Sequence, residues 1–300
     1  MRYLTNDEKQ EILMKSDRFT AKQLAEQYGC SRSTILKLWI DNNYHKPLSF
    51  SYYVNNNYFS SMDSKNKAYI LGLIASDGNI YQRSGHQDQL RLSLKNEPSE
   101  KQLLQEILND MNATHPITYI TRKNSSYISF TIVSQQICDD LYDIGINPKK
   151  TWELDIAKII SHIPHKYHRD FLRGYFDGDG SISSTDKGKP SSIHISISCP
   201  FTVATGFLTM LKNIGISASF TEDKRKYKHK FGHVVFTGHN KYLFLKYIYS
   251  QEDLCLDRKY TRALEYCKLI ETNATNRSEN TNAINKYNQF LTQRKIYENK

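Results

Sequence analysis

A nine-residue string that ends in Asp-Gly occurs twice in this chain of 300 residues. The first copy is "ILGLIASDG" (residues 70–78) and the second is "LRGYFDGDG" (residues 172–180). The aligned aspartates, Asp77 and Asp179, are 102 residues apart, which is the size of one small domain. Each string places a carboxylate where an apolar helix ends, although the helix dipole disfavours anions there. The repetition predicts two related domains, each with an acidic group at the end of a buried helix.

The same succession of patterns follows each copy of the string. Alternating polar and apolar residues predict a half-buried strand at "LRLSLK" and another at "SIHISIS". An amphipathic helix comes next in each copy, then two strands, of which the second pair is predicted to turn near Gly232. A last helix and a basic segment, "GINPKKTWEL" or "LCLDRKYTRA", close each repeat. The order αββαββα, used twice, predicts an α+β fold of two pseudo-symmetric repeats.

Small residues lie four apart on one face of each motif helix, which lets two helix backbones approach closely. These helix-interface positions are Gly72, Ser76, Gly174 and Gly178. If the two helices pack together, Asp77 and Asp179 emerge side by side at their C-termini, where the like charges and both dipoles are unfavourable. A bound divalent cation resolves this conflict, and ligation by oxygen alone favours Mg²⁺.

The N-terminal residues 5–39 predict three short helices. Thr5 with Glu8, and Thr20 with Gln23, have the spacing of capping boxes, and Ser31 is a third N-cap. The spacing of Ala25, Gly29 and Ile35 resembles the helix-turn-helix DNA-binding motif, with Gly29 in the turn. The resemblance implies a recognition helix that presents its first turns to the major groove, and a helical hairpin for protein contacts is the alternative. The residues expected to contact DNA are Ser31, Arg32, Ser33, Thr34 and Lys37.

The two strings, with their matched downstream elements, resemble the repeated motif of the LAGLIDADG homing endonucleases in the single-chain form that carries both copies. The resemblance spans residues 67–267. It implies a saddle of two antiparallel sheets that straddles duplex DNA, with the paired helices at its centre. It also implies that Asp77 and Asp179 bind the divalent ions, Mg²⁺ or Mn²⁺, that promote hydrolysis of one DNA strand at each site.

Further roles follow from the same resemblance. Asp177 occupies a second acidic position of the motif where the first copy has Ala75, which favours a structural or tuning role for Asp177 over metal ligation. Lys150 and Lys259 match basic residues near the family's active sites, where they would stabilise transition-state charge; a phosphate contact or no role is the alternative. Asn96 and Ser198, each 19 residues after its aspartate, are expected to order water.

The DNA-reading surface is expected on the strands. The segment "DKRKYKHK" alternates lysines with other residues, so that a strand would hold four lysines on one face, suited to the major groove and its phosphates. A solvated charge run is the alternative. The DNA-binding residues expected here are Lys224, Arg225, Lys226, Lys228 and Lys230. The thinner set expected in the first repeat is Arg83, Arg91, Lys95, Arg122 and Lys123.

Composition bounds the remaining possibilities. The net charge of +10 and the pI near 9.2 favour an anionic partner. Five cysteines without a CxxC pair argue against a disulfide framework or a zinc site, and the closely spaced His162, His165 and His168 lack companion ligands. The sequence shows no secretion signal and no apolar run of membrane-spanning length. The expectation is a protein of the cytoplasm, associated with the nucleoid, or of an organellar matrix, and not a secreted one.

The predicted organisation is a helix-turn-helix domain (1–46), a linker (47–66), two LAGLIDADG repeats (67–160 and 161–270) and a polar tail (271–300). The predicted function is site-specific, Mg²⁺-dependent cleavage of double-stranded DNA at a long asymmetric site by a monomer, in the service of intron homing or a free-standing mobile element. Two alternatives stay open: a transcription regulator that binds DNA without cutting it, and an intron maturase that binds structured RNA.

Overall fold

The computed structural model describes residues 4–16, 19–44, 52–82, 84–122, 125–148, 152–186, 189–225, 230–249, 253–272 and 278–298, of which 122, 278–280 and 292–298 are described by backbone alone. The chain forms two compact units, Met1–Tyr53 and Val54–Lys300. Within the described ranges, no helix is long and apolar enough to cross a membrane.

The first unit consists of three helices, α1 (Asn6–Lys15), α2 (Ala21–Gln27) and α3 (Arg32–Asp41). Capping boxes open α1 and α2, and the Ser31 side chain caps α3, as the sequence predicts. Gly29 adopts a φ of +62° between α2 and α3, which a glycine adopts at little cost. The small core is closed by Trp39, whose indole Nε1 donates to Ser16 Oγ at 2.6 Å.

The second unit contains the two repeats. In the first repeat, α4 (Lys65–Asp77) is followed by β1 (Gly78–Tyr81), β2 (Gln89–Lys95), α5 (Pro98–Asp110), β3 (Thr118–Arg122), β4 (Ser125–Val133) and α6 (Gln135–Ile144). A short helix, α7 (Ile156–Ser161), leads to the second repeat. That repeat consists of α8 (His168–Asp179), β5 (Gly180–Ser184), β6 (Ile193–Pro200), α9 (Phe201–Asn213), β7 (Ser219–Glu222), β8 (Phe231–Phe236) and α10 (Asn240–Ile248). The predicted order αββαββα is confirmed in both.

Each repeat forms one antiparallel sheet of four strands, ordered β1-β2-β4-β3 and β5-β6-β8-β7. The registers pair Leu92 with Phe130 and Ile197 with Val234, all four of them buried. Because successive side chains of a strand point to opposite faces, this alternation gives each sheet one apolar face against the helices and one polar face.

The basic segment is the main correction to the predicted strands. Strand β7 ends at Glu222 and β8 begins at Phe231, so Lys224, Arg225 and Lys230 lie outside both strands. Lys226 and Lys228 lie outside the described residues. Gly232, predicted near the turn, instead lies in β8 and pairs with Cys199 and Glu222. Gly232 is therefore a strand residue and not part of the turn.

The segments predicted as a linker and as a polar tail each contribute residues to the core of the second unit. The predicted linker 47–66 contains Val54, Tyr58, Phe59 and Met62, all buried in that core, so its second half belongs to the folded unit. After α10, helices α11 (Asp257–Thr272) and α12 (Ser278–Glu298) follow. The predicted polar tail thus contains a helix with an apolar side, where Phe290 packs edge-on against Tyr247.

Candidate active site at the ends of the paired helices

The two motif helices, α4 and α8, cross in direct backbone contact. A Cβ atom added to Gly72 would lie 2.1 Å from the carbonyl oxygen of Phe171, and one added to Gly174 would lie 2.0 Å from that of Tyr69. No side chain fits at either position, because the obstacle is the backbone of the other helix. The glycines are therefore what allows the helices to approach this closely.

The close approach continues to the C-terminal ends of the helices. A Cβ atom on Gly178 would lie 2.0 Å from Ser76 Oγ and 3.1 Å from Asp77 Oδ2. Ser76 turns its hydroxyl back to its own helix, donating to the carbonyl oxygen of Leu73 at 3.1 Å. Asp77 on α4 therefore lies beside Gly178, the residue that precedes Asp179 on α8. The structure brings the two predicted aspartates together.

Tyr175 is a site residue that the sequence patterns did not indicate. It is buried at the helix crossing, and its hydroxyl is hydrogen-bonded to Asp179. Burial raises its pKa well above the ordinary value, and the negative charges of Asp179 and Asp77 raise it further. This tyrosine stays protonated at neutral pH and donates its hydrogen bond to Asp179. In the sequence it is one of several apolar positions of the motif helix, and nothing there distinguishes it.

Lys259 lies at the C-terminal end of α8. Its Nζ donates to the carbonyl oxygens of Phe176 at 2.7 Å, Asp177 at 2.6 Å and Gly178 at 3.1 Å. Burial lowers its pKa to about 8, although the nearby carboxylates act in the opposite direction. The lysine satisfies carbonyls that the end of a helix leaves without partners, and its charge offsets the dipole. Lys150, its predicted counterpart in the first repeat, lies outside the described residues.

Asp177 is fully buried and accepts three hydrogen bonds. The donors are the hydroxyl of Tyr69 at 2.8 Å, the hydroxyl of Tyr249 at 2.6 Å and the backbone N–H of Leu256 at 2.7 Å. Burial raises its pKa, while these donors act to lower it. A carboxylate enclosed in this way has both oxygens occupied by protein donors, which fits the predicted structural role. The corresponding Ala75 of the first repeat is also buried.

A buried ionic cluster lies toward the N-terminal half of α8. Arg173 is fully buried, and its guanidinium donates to Asp170 at 2.7 Å and to Asp253 at 3.2 Å. Arg169 donates to the same Asp253 at 3.0 Å. This cluster ties α8 to the segment that follows α10. No sequence pattern indicated it, because Arg173 and Asp253 are 80 residues apart along the chain.

The polar face of the first sheet carries cationic and aromatic side chains. Arg91 and Lys95 lie on this face of β2. The Arg91 guanidinium lies 5.0 Å from the centre of the Tyr81 ring, and its Nε donates to Thr131 Oγ1 at 3.0 Å. Arg91 is thus held in one orientation on the sheet. Arg83, Lys123 and the side chain of Arg122 lie outside the described residues.

The polar face of the second sheet is instead built from hydroxyl and imidazole groups. These residues are Ser181, Ser183, His194, Ser196, Ser198, Thr221 and His233. Ser198 Oγ lies 3.1 Å from His233 Nδ1, whereas Asn96, its predicted counterpart, donates to Ser126 Oγ at 3.1 Å. Among the described strand residues, the two polar faces thus differ in chemistry, being cationic and aromatic in the first repeat and hydroxyl and imidazole in the second.

Two of the described cations of the basic connection, Arg225 and Lys230, are paired with acids. Arg225 contacts Asp223 at 2.6 Å and lowers the pKa of that carboxyl to about 2. Lys230 Nζ lies 3.2 Å from Glu222 and 4.6 Å from the centre of the Phe201 ring. Lys224 is exposed. Part of the positive charge predicted for this segment is therefore compensated locally.

The recognition helix predicted in the first unit presents an exposed polar surface. Arg32, Ser33 and Lys37 are exposed on α3. Ser31 Oγ accepts from the Thr34 backbone N–H at 3.1 Å and lies 2.8 Å from Thr34 Oγ1. The Ser31 hydroxyl caps the helix and also lies 2.7 Å from Ser33 Oγ, and Arg32 and Lys37 are the exposed cations of this surface.

The histidines before α8 are part of the fold. His168 Nε2 lies 3.1 Å and 2.9 Å from the carbonyl oxygens of Ile160 and Ile163. His162 Nδ1 lies 3.0 Å from the carbonyl oxygen of Lys158. Both rings hold the turn between α7 and α8 through backbone carbonyls.

Comparison with known proteins places one family match on this region. Residues 166–249, from just before α8 to the residue after α10, match the LAGLIDADG-like domain. No curated protein matches the chain. The family match covers the second of the two repeats.

Several solved structures are similar at low identity. I-DmoI in complex with DNA and Ca is 18% identical, with 71% of this chain and 99% of that chain covered and a TM-score of 0.47. The homing endonuclease I-WcaI bound to its DNA recognition sequence is 15% identical, with coverages of 68% and 86% and a TM-score of 0.46. The meganuclease I-SmaMI bound to uncleaveable DNA is 12% identical, with coverages of 76% and 98% and a TM-score of 0.46.

Proposed function

We propose that this chain is a site-specific homing endonuclease that hydrolyses both strands of double-stranded DNA with a divalent metal ion at two aspartate-centred sites. The observation that carries the proposal is the meeting of Asp77 and Asp179 at the ends of α4 and α8. Two carboxylates at adjacent helix C-termini repel each other and both dipoles, so the arrangement is costly for a protein that does not bind cations there. The match of residues 166–249 to the LAGLIDADG-like domain supports the same function.

The donor atoms fit a hard divalent cation such as Mg²⁺ or Mn²⁺. Asp77 and Asp179 supply carboxylate oxygens, and the described residues contain no group of three or more His, Cys, Asp or Glu that would enclose a metal. Mg²⁺ bound through one or two carboxylates usually keeps several waters and takes phosphate oxygens as further ligands. When bound, the metal would activate water and stabilise the leaving oxygen of the phosphodiester.

The chain's own residues fix the orientation of the aspartates. Tyr175, buried at the helix crossing, donates a hydrogen bond to Asp179 and so helps to fix the orientation of this carboxylate. Lys259 holds the last carbonyls of α8 and offsets the negative end of the helix, which lowers the electrostatic cost of placing Asp179 there. We assign Lys259 a positioning role and retain Lys150 as a proposed active-site cation.

DNA would be bound by the polar faces of the two sheets. Arg91 and Lys95 in the first repeat are proposed to contact guanine edges or phosphates, and the hydroxyls of the second face are proposed to contact bases or phosphates. Different chemistry on the two faces favours an asymmetric target. One chain supplies both sites, so we propose a monomer that acts where DNA is present, in the nucleoid or an organellar matrix.

The first unit is proposed to be an added DNA-binding arm. Its three helices, the cap at Ser31 and the turn at Gly29 are those expected of a helix-turn-helix. Arg32, Ser33 and Lys37 are exposed on α3, and we propose that they enter the major groove. An arm of this kind would lengthen the target site.

The test begins by selecting bound duplexes from a randomised DNA library and placing them in plasmids. Purified full-length protein is then incubated with these plasmids in Mg²⁺, Mn²⁺, Ca²⁺ or EDTA. We expect linear product with Mg²⁺ or Mn²⁺ and none with EDTA. Asp77→Asn and Asp179→Asn should each abolish linearisation, whereas the matched control Asp139→Asn, an exposed aspartate on α6, should cut as the wild type does.

Two other results would replace the proposed function. Tight binding of selected duplexes, with no cutting by the wild type in any divalent ion, would indicate a DNA-binding regulator. Selection of structured RNA in preference to duplex DNA would indicate a maturase.

A further inference from the structure

We propose that Asp177 is a positioning residue for the Asp179 site, and that removing its carboxylate slows the cutting of one DNA strand much more than the other. The inference rests on the proposed function and deepens it. It implies that different contacts hold the Asp77 site and the Asp179 site, although the two sites are related by the repeat.

The first observation is the set of elements that Asp177 joins. Tyr69 comes from α4, whereas Tyr249 and Leu256 come from the segment between α10 and α11. Hydrogen bonds to a charged acceptor are stronger than neutral ones, and full burial excludes competing water. One carboxylate therefore fastens the last turn of α8 to three residues that lie 72 to 108 positions away in the chain.

The second observation is that these bonds form a closed loop with Lys259. The Leu256 N–H donates to the Asp177 carboxylate, and the Leu256 carbonyl accepts from the backbone N–H of Lys259 at 2.9 Å, which starts α11. Lys259 Nζ then returns to the carbonyl oxygen of Asp177 at 2.6 Å. The carboxylate of Asp177 thus positions the helix that carries the lysine holding the end of α8. Asp179, the proposed metal ligand, lies two residues after Asp177 in the chain.

The third observation is that, of the two repeats, the second has a carboxylate at this position of the motif helix and the first does not. The first repeat has Ala75 where the second has Asp177, and an alanine side chain accepts no hydrogen bond. Position 75 therefore supplies no carboxylate that could join the end of α4 to other elements. A change at position 177 acts directly on the Asp179 site, whereas Tyr69, its one partner on α4, lies eight residues before Asp77.

The experiment measures cutting of each strand separately on a duplex selected by the wild-type protein, with the two strands carrying different end labels. Asp77→Asn and Asp179→Asn first identify the strand that depends on each site. In Asp177→Ala we expect the Asp179-dependent strand to be cut roughly 10- to 100-fold more slowly, as a displacement of about 1 Å at a reacting group can produce. The other strand should stay within about twofold, since Asp77 is carried by α4, which Asp177 contacts through Tyr69, eight residues before Asp77.

Two conservative variants keep the test informative if Asp177→Ala folds poorly. Asp177→Asn retains one acceptor oxygen, and Tyr249→Phe removes one of the three donors. Each should give a smaller defect on the same strand. Tyr58→Phe is the matched control, because its buried hydroxyl bonds to Asp110 in the first repeat, and it should leave the ratio of the two strand rates unchanged.

A second readout does not depend on cutting. Hydrogen–deuterium exchange of metal-free protein should show faster exchange of residues 249–260 in Asp177→Ala, with no change in peptides from α6. Helix α5 is not a control, because its Glu100 accepts from Arg258 of α11 at 2.9 Å. Equal slowing of both strands, or unchanged exchange at residues 249–260, would overturn the inference. If the wild type cuts no DNA, the proposed function fails, and the exchange measurement still decides whether Asp177 holds this segment.

Discussion

Replacing Gly174 with alanine is expected to force the two motif helices apart. The added Cβ atom would lie 2.0 Å from the Tyr69 carbonyl oxygen and 2.9 Å from the Leu73 nitrogen, whereas real Cβ contacts essentially never fall below 3.0 Å. Both obstacles are backbone atoms of α4, so no rotamer change relieves them. The helices must therefore separate by about 1 Å or more at the crossing, and a close-packed core transmits such a shift.

The energetic balance has two opposing contributions. Overpacking of a core costs about 1–3 kcal/mol, with the upper end expected where backbone must move. Alanine gains about 1 kcal/mol over glycine inside a helix. We expect a net loss of about 2 kcal/mol, which lowers the Tm of a unit of this size by roughly 4–8 °C.

Thermal unfolding followed by circular dichroism or calorimetry checks this magnitude. Gly72→Ala should lower the Tm by a similar amount, because its Cβ atom would lie 2.1 Å from the Phe171 carbonyl oxygen. Ser76→Ala is the control on the same face: it adds no atom, and we expect a change within about 0.5 kcal/mol. A Gly174→Ala protein as stable as the wild type would show that the helices are not in backbone contact and would refute the packing on which the site depends.

Three other predictions follow from charges in the structure. Folding lowers the pKa of Lys259 to about 8 from the ordinary 10.5, so the unfolded chain binds more protons between these pH values and the stability contributed by this group rises with pH there. In urea titrations, the free energy of unfolding of the wild type should therefore rise relative to that of Lys259→Met from pH 8 to pH 10. A constant difference would contradict the buried cation. Arg173→Met removes the fully buried cation of the cluster and leaves Asp170 and Asp253 with the less buried Arg169 and Lys65. It should cost about 3 kcal/mol in the same titrations. A loss below about 1 kcal/mol would argue against the cluster. DNA-binding isotherms at several salt concentrations give the slope of log K against log salt concentration. Arg91→Ala should reduce this slope by about 1 if Arg91 contacts a phosphate, whereas Arg225→Ala should reduce it less because Arg225 is paired with Asp223. Equal reductions would show that the Arg225–Asp223 pair opens on DNA.

Local patterns in the sequence were sufficient to predict the elements of the repeats. Burial of one strand face produces a period of two, so the alternation alone assigns Leu92, Ile197 and their neighbours to the correct face. The glycines of the motif helices likewise predicted the contact between α4 and α8. These inferences succeeded because residues close in sequence determine them.

The site and its surroundings depend on pairings that no local pattern contains. The role of Lys259 could not be predicted, because its three carbonyl partners lie about 80 residues earlier in the chain. The basic segment misled the strand prediction for a different reason: alternation of charges mimics a period of two, although lysine has a low preference for strands. The aromatic residues Tyr58 and Phe59, interpreted as part of a linker, are buried because the second unit offers them an apolar surface.

The acidic ends of the two motif helices show how one repeat was adapted relative to the other. At the end of α8, the dipole is offset by Lys259, and the neighbouring Asp177 is enclosed by its own donors, so Asp179 is the carboxylate left partly exposed. At the end of α4, Ala75 replaces the enclosed carboxylate and Asp77 is exposed. Two aspartates related by a repeat thus differ in solvent exposure and in support. A nuclease built on them would bind the same metal at both sites and still cut its two strands at different rates, because each rate depends on how firmly its own helix end is held.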